Sequence, residues 1–283
     1  MSAFYESLGI NKSDFELLRD FIHLKTGIYF EDGKADVLAD KIANRLIENN
    51  LTSFLDYYYK LKYENDPDEW KELINAITIN ETYFYREYPH IKILIERIIP
   101  EYFEKFPNIP LRIWSGACST GEEPLSIAIA LTEAGYYEKY PINIFASDIN
   151  PFSIESAKKG LFKERSFRVL PSDLKEKYFI KEDKVYRIKQ EILEKVIFRV
   201  KNLMDFDELS FLYFSNVIFV KNILIYFSEF SIRKLIDYLY NKMPKESYLF
   251  VGISESLLKY QPKFELVEVD GYFIYKKNSG AQE

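Results

Sequence analysis

The chain has 283 residues, 47% of them hydrophobic and 17% aromatic, which supplies a substantial core for one large domain or two smaller ones. A formal net charge of −6 excludes non-specific nucleic-acid binding over the whole surface, and a single cysteine, Cys118, excludes a disulfide framework or a cysteine zinc site. No apolar run approaches the roughly 20 residues of a membrane span, and the start of the chain lacks a signal peptide's basic-then-apolar pattern, so a cytoplasmic location is expected.

Residues 1–75 read as helical. Ser13 and Glu16 form a capping-box pattern ahead of Leu18, Phe21 and Ile22, and Gly27 is a helix stop. A second helix is expected over about 34–49, with Leu38, Ile42 and Leu46 as its apolar stripe; a third covers about 52–63 and a fourth 68–74. Within the second, Lys34, Lys41 and Arg45 fall within about 40° of one another at 100° per residue. That stripe is either a solvated face or a dock for an acidic partner surface. Next comes NETYFYR, residues 80–86, which packs three aromatics and one arginine between the helical region and the strands that begin at residue 111. It reads either as interdomain packing or as part of a site.

From residue 111 strands alternate with helices. The apolar run 111–114 stops in small residues, Ser115 and Gly116 through Gly121, and two glutamates and an apolar helical pattern over 123–134 come after it. A strand, a tight loop and a helix N-terminus let the backbone approach a bound cofactor closely. The loop has neither the glycine spacing of a dinucleotide fingerprint nor a Gly-Lys-Ser/Thr. Glu122 and Glu123 occupy the place of a phosphate, where a carboxylate repels pyrophosphate and attracts a cation. The pattern therefore points to a positively charged nucleoside, and S-adenosylmethionine, with its ammonium and sulfonium, is the common one. Cys118 in this loop reads as a small residue that fits.

A second strand, 142–146, ends at Ser147-Asp148, 27 residues after Gly121. An acid there either accepts hydrogen bonds from a ribose or caps the helix Pro151–Lys159. Further strands are expected at Val196–Val200, 216–220 and 247–252, with a helix at Glu229–Lys242 between the last two. Strands separated by helices mean a parallel sheet with right-handed crossovers. The alternation over 264–275 around Asp270-Gly271 reads as a closing antiparallel hairpin. Segment 160–194 is too long for an ordinary connection and reads as an inserted small β-element. The fold class is thus α/β, Rossmann-like and mostly parallel, behind an all-α N-terminal domain. The division is 1–75 and 76–283, with the insertion at about 160–194.

Asn202-Leu203 follows the third strand and is either an adenine-edge contact or a plain loop. Lys221 and Asn222 end the fourth, where open parallel sheets bind ligands. Tyr226 is either a core residue or a phenol aimed at a substrate. His23 and His90, the only histidines, have no catalytic or metal-ligand partner nearby in sequence and read as structural.

Together these stretches resemble the chemotaxis receptor methyltransferases, the CheR family. The matching segments are NETYFYRE (80–87), RIWSGACSTGEEPLSIA (112–128), FASDINPFSIESAKKGLF (145–162), VKNILIYFS (220–228) and GISES (252–256). The resemblance implies an S-adenosylmethionine-dependent methyltransferase fold with a small inserted β-subdomain. It implies cofactor contacts at Asn80, Thr82, Arg86, Ser115, Gly116, Glu123, Asp148, Asn202, Leu203, Lys221 and Asn222, and catalytic roles for Arg86 and Tyr226. Glu123 would face the methionine ammonium, Asp148 the ribose and Asn202-Leu203 the adenine edge. The implied reaction is methyl transfer to glutamate side chains of chemotaxis receptors, giving glutamyl methyl esters, with no metal. The implied partner is the cytoplasmic helical region of those receptors, docked by Lys34, Lys41 and Arg45, and the enzyme is expected to be a monomer. One departure stands out: Val220-Lys221-Asn222 replaces the family's common Cys-Arg-Asn, so the planar fork of an arginine is lost. A same-fold methyltransferase with another protein acceptor, and a regulatory protein that binds S-adenosylmethionine, remain alternatives.

Overall fold

The computed structural model describes residues 10–210 and 214–278. Helix α1 (Lys12–Thr26) starts earlier than the expected capping box. Asn11 is its N-cap, accepting the Asp14 amide at 2.9 Å while donating to the Asp14 carboxylate, and this reciprocal pair leaves Ser13 inside the first turn. The helix ends at Gly27 with φ 79°, where a Cβ would lie 2.7 Å from Met204 and 3.1 Å from Phe227. Glycine is required there both for the left-handed backbone and for the close approach.

Helices α2 (Ala35–Glu48), α3 (Phe54–Tyr63) and α4 (Pro67–Ile77) complete the helical region, with Ser53 and Asp66 capping α3 and α4. The α2 stripe Leu38, Ile42 and Leu46 is fully buried. Arg45 is buried too, only 8% exposed. It donates to both carboxylate oxygens of Glu69, at 3.0 and 2.5 Å, and also pairs with Glu48. Tyr57 and Asn49 donate to the same Glu69 carboxylate at 2.6 and 2.7 Å. The expectation that Arg45 docks a partner is therefore wrong: its guanidinium is consumed inside the bundle. Lys41 turns to the last carbonyls of α4, those of Ala76 and Ile77, and Lys34 alone of the three is exposed.

Residues 88–105 carry no sequence-predicted element. They form α5 (Tyr88–Ile93), a π-helical turn (Leu94–Ile98) and α6 (Ile99–Lys105), and Pro89 and Pro100 fall in the first turns of α5 and α6. The π turn shifts the apolar stripe by one residue, which hides the helical period.

Strands β1 (Leu111–Gly116), β2 (Ile142–Asp148), β6 (Val196–Val200), β7 (Val217–Val220), β8 (Ser247–Phe250), β9 (Glu265–Val269) and β10 (Tyr272–Lys277) make one sheet in the order β6-β2-β1-β7-β8-β10-β9. The first five run parallel and β9 and β10 close it as an antiparallel hairpin. The order reverses between β1 and β7, and Gly116 stands opposite both Ser147 and Val220, so the ends of three strands line up at that switch point. Between the strands run α7 (Glu122–Glu133), α8 (Tyr136–Lys139), α9 (Pro151–Lys159) and α12 (Glu229–Lys242).

Within segment 160–194, β3 (Leu161–Phe162), β4 (Phe179–Glu182) and β5 (Val185–Ile188) form a three-stranded antiparallel sheet, together with α10 (Ser172–Tyr178) and α11 (Gln190–Leu193). Phe84 is fully buried against Phe162, Phe167 and Phe179 of this segment, with ring centroids 4.8–5.4 Å apart, so the NETYFYR stretch is anchored by it.

One core packs α5–α7 and the small sheet against the large sheet through residues such as Ile113, Ile144 and Phe219. The other packs α1–α4 and α12 against the opposite face through Trp114, Ile218 and Leu249. The helical region therefore shares its core with the sheet. Polar contacts add to this seam: His23 bonds the hydroxyls of Ser228 and Ser231, and Asn202 donates to the carbonyl of Lys25 at 2.6 Å. Among the described residues no helix is long and apolar enough to cross a membrane.

Candidate active site

At the C-terminal edge of the sheet lies a cavity of about 430 Å³, walled by the ends of β1, β2, β6 and β7 on one side and by residues 26–41 of the helical region on the other. The β1–α7 loop forms part of it through a sharp backbone path: Ala117, Ser119 and Gly121 all have positive φ, 60°, 49° and 95°. Two non-glycine residues in that region need outside support. Asp148 gives it. Its Oδ2 accepts the Ser119 amide at 2.8 Å and its Oδ1 the Asn150 amide at 2.9 Å. The α9 cap is Asn150, which accepts the amides of Phe152 and Ser153, so Asp148 is not spent on capping. Burial pushes the Asp148 carboxyl up, against the pull of those amides.

The two glutamates after the loop part company. Glu122 is buried, bonded to Thr120 and Ser166, and does not line the cavity; burial raises its pKa. Glu123 does line it. Its Oε1 accepts from Ser115 Oγ at 2.7 Å and its Oε2 lies 3.2 Å from Lys221 Nζ. Ser115 and Gly116 themselves are behind the wall: Ser115 orients Glu123, and a Cβ on Gly116 would meet Trp114 at 2.9 Å and the cavity-lining Leu203 at 3.3 Å.

Asn80, Thr82 and Arg86 line the cavity. Asn80 accepts from Ser119 Oγ through its carbonyl, and Arg86 donates to the Glu81 carbonyl at 3.0 Å. Asn202 lines it as well, but its side chain is engaged with Lys25 and with the Met204 amide, so an adenine edge would meet the backbone of 202–203 and not this amide group. Lys221, Asn222 and Tyr226 close the far side, and the Tyr226 hydroxyl makes no hydrogen bond among the described residues.

Two further residues support the site from outside the cavity and carry no sequence-predicted role, although both lie in the quoted motifs. Glu87, after Arg86, accepts from Asn222 Nδ2 and the Ile253 amide, each at 3.2 Å, and ion-pairs with Lys221 at 3.2 Å. Glu255, in GISES, gathers four backbone amides, those of Gly252, Asn222, Leu224 and Ile225, at 2.7, 2.7, 2.8 and 3.4 Å. It thereby fixes Asn222 in its left-handed conformation, φ 58°. Cys118 is buried and its thiol is pushed up by burial, as a space-filling residue requires.

The strand order, the switch-point cavity and its paired acids coincide with a family match over nearly the whole chain. Residues 80–273 match the S-adenosylmethionine (SAM) binding domain of the CheR methyltransferases, and residues 13–78 match their all-alpha domain. The chain belongs to the CheR methyltransferase family. It is 34% identical to chemotaxis protein methyltransferase 2 of Vibrio cholerae, over 97% of this chain and 96% of that protein. It is 31% identical to the chemotaxis protein methyltransferase of Borreliella burgdorferi, over 90% and 92%, and 28% identical to that of Escherichia coli, over 92% and 90%. This CheR chain is a SAM-dependent methyltransferase, and its cavity suits the cofactor. Its lining includes two carboxylates, Asp148 and Glu123.

Proposed function

We propose that this protein transfers a methyl group from SAM to glutamate side chains of chemotaxis receptors, forming glutamyl methyl esters. The observation that carries the reading is that one cavity gathers Asp148, Glu123, Arg86 and Tyr226. Asp148 would hold the ribose, Leu203 and the backbone of 202–203 the adenine, and Glu123 the methionine ammonium. Asn80, Thr82, Arg86, Lys221 and Asn222 would complete the contacts, with Ser115 and Gly116 acting from behind. When bound, SAM supplies an electrophilic methyl group on sulfonium sulfur, and the C–S electron pair leaves with the sulfur.

The demands on the protein are then modest. A glutamate acceptor, with pKa near 4.3, is already ionised at neutral pH, so no side chain has to remove a proton. Arg86 has further guanidinium nitrogens for the incoming carboxylate, and the Tyr226 phenol, without a hydrogen bond among the described residues, can orient it by donating one. Ile28, Ile223 and Phe227 keep water from the reacting atoms.

The same reading divides the chain into a helical domain over 1–75 and a methyltransferase domain over 76–283 with an insertion at about 160–194, acting as a monomer in the cytoplasm. The receptor's cytoplasmic helices would meet the cavity mouth, where Lys34 and Lys41 line the rim. The test is incubation with labelled SAM and receptor-containing membranes. Base-labile label on a receptor-sized band supports esterification; base-stable label or none rejects it.

A further inference from the structure

Beside the cavity two carboxylates share one ammonium. Lys221 Nζ lies 3.2 Å from Glu87 Oε2 and 3.2 Å from Glu123 Oε2, with its side chain only 2% exposed. Glu123 and Lys221 line the cavity; Glu87 does not. The remaining neighbours do not balance the charge. His90 places Nδ1 3.8 Å from Glu87, but burial and the adjacent Lys221 push its pKa down to about 4, so it is neutral. Arg86 turns one guanidinium nitrogen to the Glu81 carbonyl and offers Lys221 only its own backbone oxygen. Glu255, across Asn222, adds no cation. Glu87 stays ionised, because Lys221, Asn222 and the Ile253 amide together outweigh the burial that would raise its pKa.

A buried cluster with one uncompensated negative charge is costly unless something positive completes it. We propose that Glu87 is a positioning residue for the cationic end of the cofactor: by engaging Lys221 from the side away from the cavity, it leaves the charge of Glu123 available to the methionine ammonium. Without Glu87, Lys221 would neutralise Glu123 and the cluster would present no net charge to the ligand. The inference rests on the reading of the cavity as a SAM site. It also accounts for a lysine at position 221: a compact ammonium between two carboxylates needs no planar fork.

The experiment compares SAM with 5′-methylthioadenosine, which keeps the nucleoside and lacks both the aminocarboxypropyl arm, with its ammonium and carboxylate, and the sulfonium charge. Dissociation constants come from calorimetry on the full chain, with melting temperatures as the check on folding. Glu87→Gln keeps Oε1 for Asn222 and Ile253, removes the charge and turns an NH₂ instead of an acceptor toward Lys221. It should weaken SAM by about tenfold or more, the effect of one unit charge several ångströms away in a partly buried site. Affinity for 5′-methylthioadenosine should change by less than about twofold. Glu87→Asp, which keeps the charge, should lose less. An unchanged SAM constant in Glu87→Gln, or an equal loss for both ligands, overturns the proposal and leaves the SAM site standing. A wild-type chain that binds neither ligand overturns the reading of the cavity and the proposal with it.

Discussion

The amide of Tyr29 donates to the carbonyl of Tyr226 at 2.8 Å, beside an antiparallel bridge between Ile28 and Phe227. The helical region and the phenol proposed to act in catalysis are thus tied through one short piece of β-pairing. The bond uses only main-chain atoms and does not engage the Tyr226 hydroxyl, so removing that hydroxyl leaves the seam intact.

Tyr226→Phe should therefore separate binding from chemistry. The ring and the backbone bond stay, so SAM affinity and melting temperature should hold. The acceptor carboxylate loses one donor, and a hydrogen bond to a charged group contributes about 1.5–3 kcal/mol, so turnover should fall by about tenfold or more. Calorimetry and a methyl-transfer assay on the same preparation decide it. Turnover at the wild-type rate would reduce the phenol to a packing role.

Asp148→Ala should weaken SAM by more than the loss of ribose contacts alone. Each lost hydrogen bond contributes about 0.5–1.5 kcal/mol, and the variant also orphans the buried Ser119 amide that holds the strained loop in place. The dissociation constant should rise on the order of tenfold or more, and the melting temperature should fall with it. An unchanged constant by calorimetry would remove Asp148 from the site.

The strand–loop–helix at 111–134 is legible in the sequence because small residues and a helix N-terminus have few other uses at a strand end, and the closing hairpin because Asp270-Gly271 interrupts a period-2 pattern. Charge partners are not legible in the same way. Nothing local marks Glu87 and Glu255 as site residues; one meets Lys221 across 134 positions and the other gathers amides from two separate segments. Arg45 misleads for a related reason. A helical wheel gives the direction of a side chain but not what the next helix places opposite it, and here that is Glu69. Helices α5 and α6 stay hidden because a π turn breaks the period by which a helix is recognised.

Glu255→Gln tests the amide clamp at the end of β7. The carboxylate accepts from four backbone amides, while a glutamine can aim only its carbonyl oxygen at them and turns an NH₂ toward the rest. Each buried amide left without an acceptor costs about 1–3 kcal/mol. The melting temperature should drop, and SAM affinity should drop with it as Asn222 leaves its left-handed conformation. A variant with normal stability would show that the 222–225 turn holds itself.

Arg45→Met should destabilise the fold and not simply weaken receptor binding. Removing one partner of a buried pair leaves an uncompensated charge and costs about 3–5 kcal/mol. The pH dependence gives the signature. Burial alone would raise the Glu69 carboxyl, but hydrogen bonds from Arg45, Tyr57 and Asn49 hold it below its ordinary value. A carboxylate depressed on folding contributes stability that is fully present above its unfolded pKa and is lost as pH falls through the folded one. In wild type, then, the Glu69 contribution should persist to below the usual carboxylate range. In Arg45→Met the depression is gone, Glu69 takes up a proton at higher pH, and the stability gap to wild type should narrow steadily as the pH is lowered from neutral toward about 4. Chemical unfolding across that range measures it. Were Arg45 a docking residue, the variant would keep its unfolding midpoint at every pH and lose only affinity for the receptor.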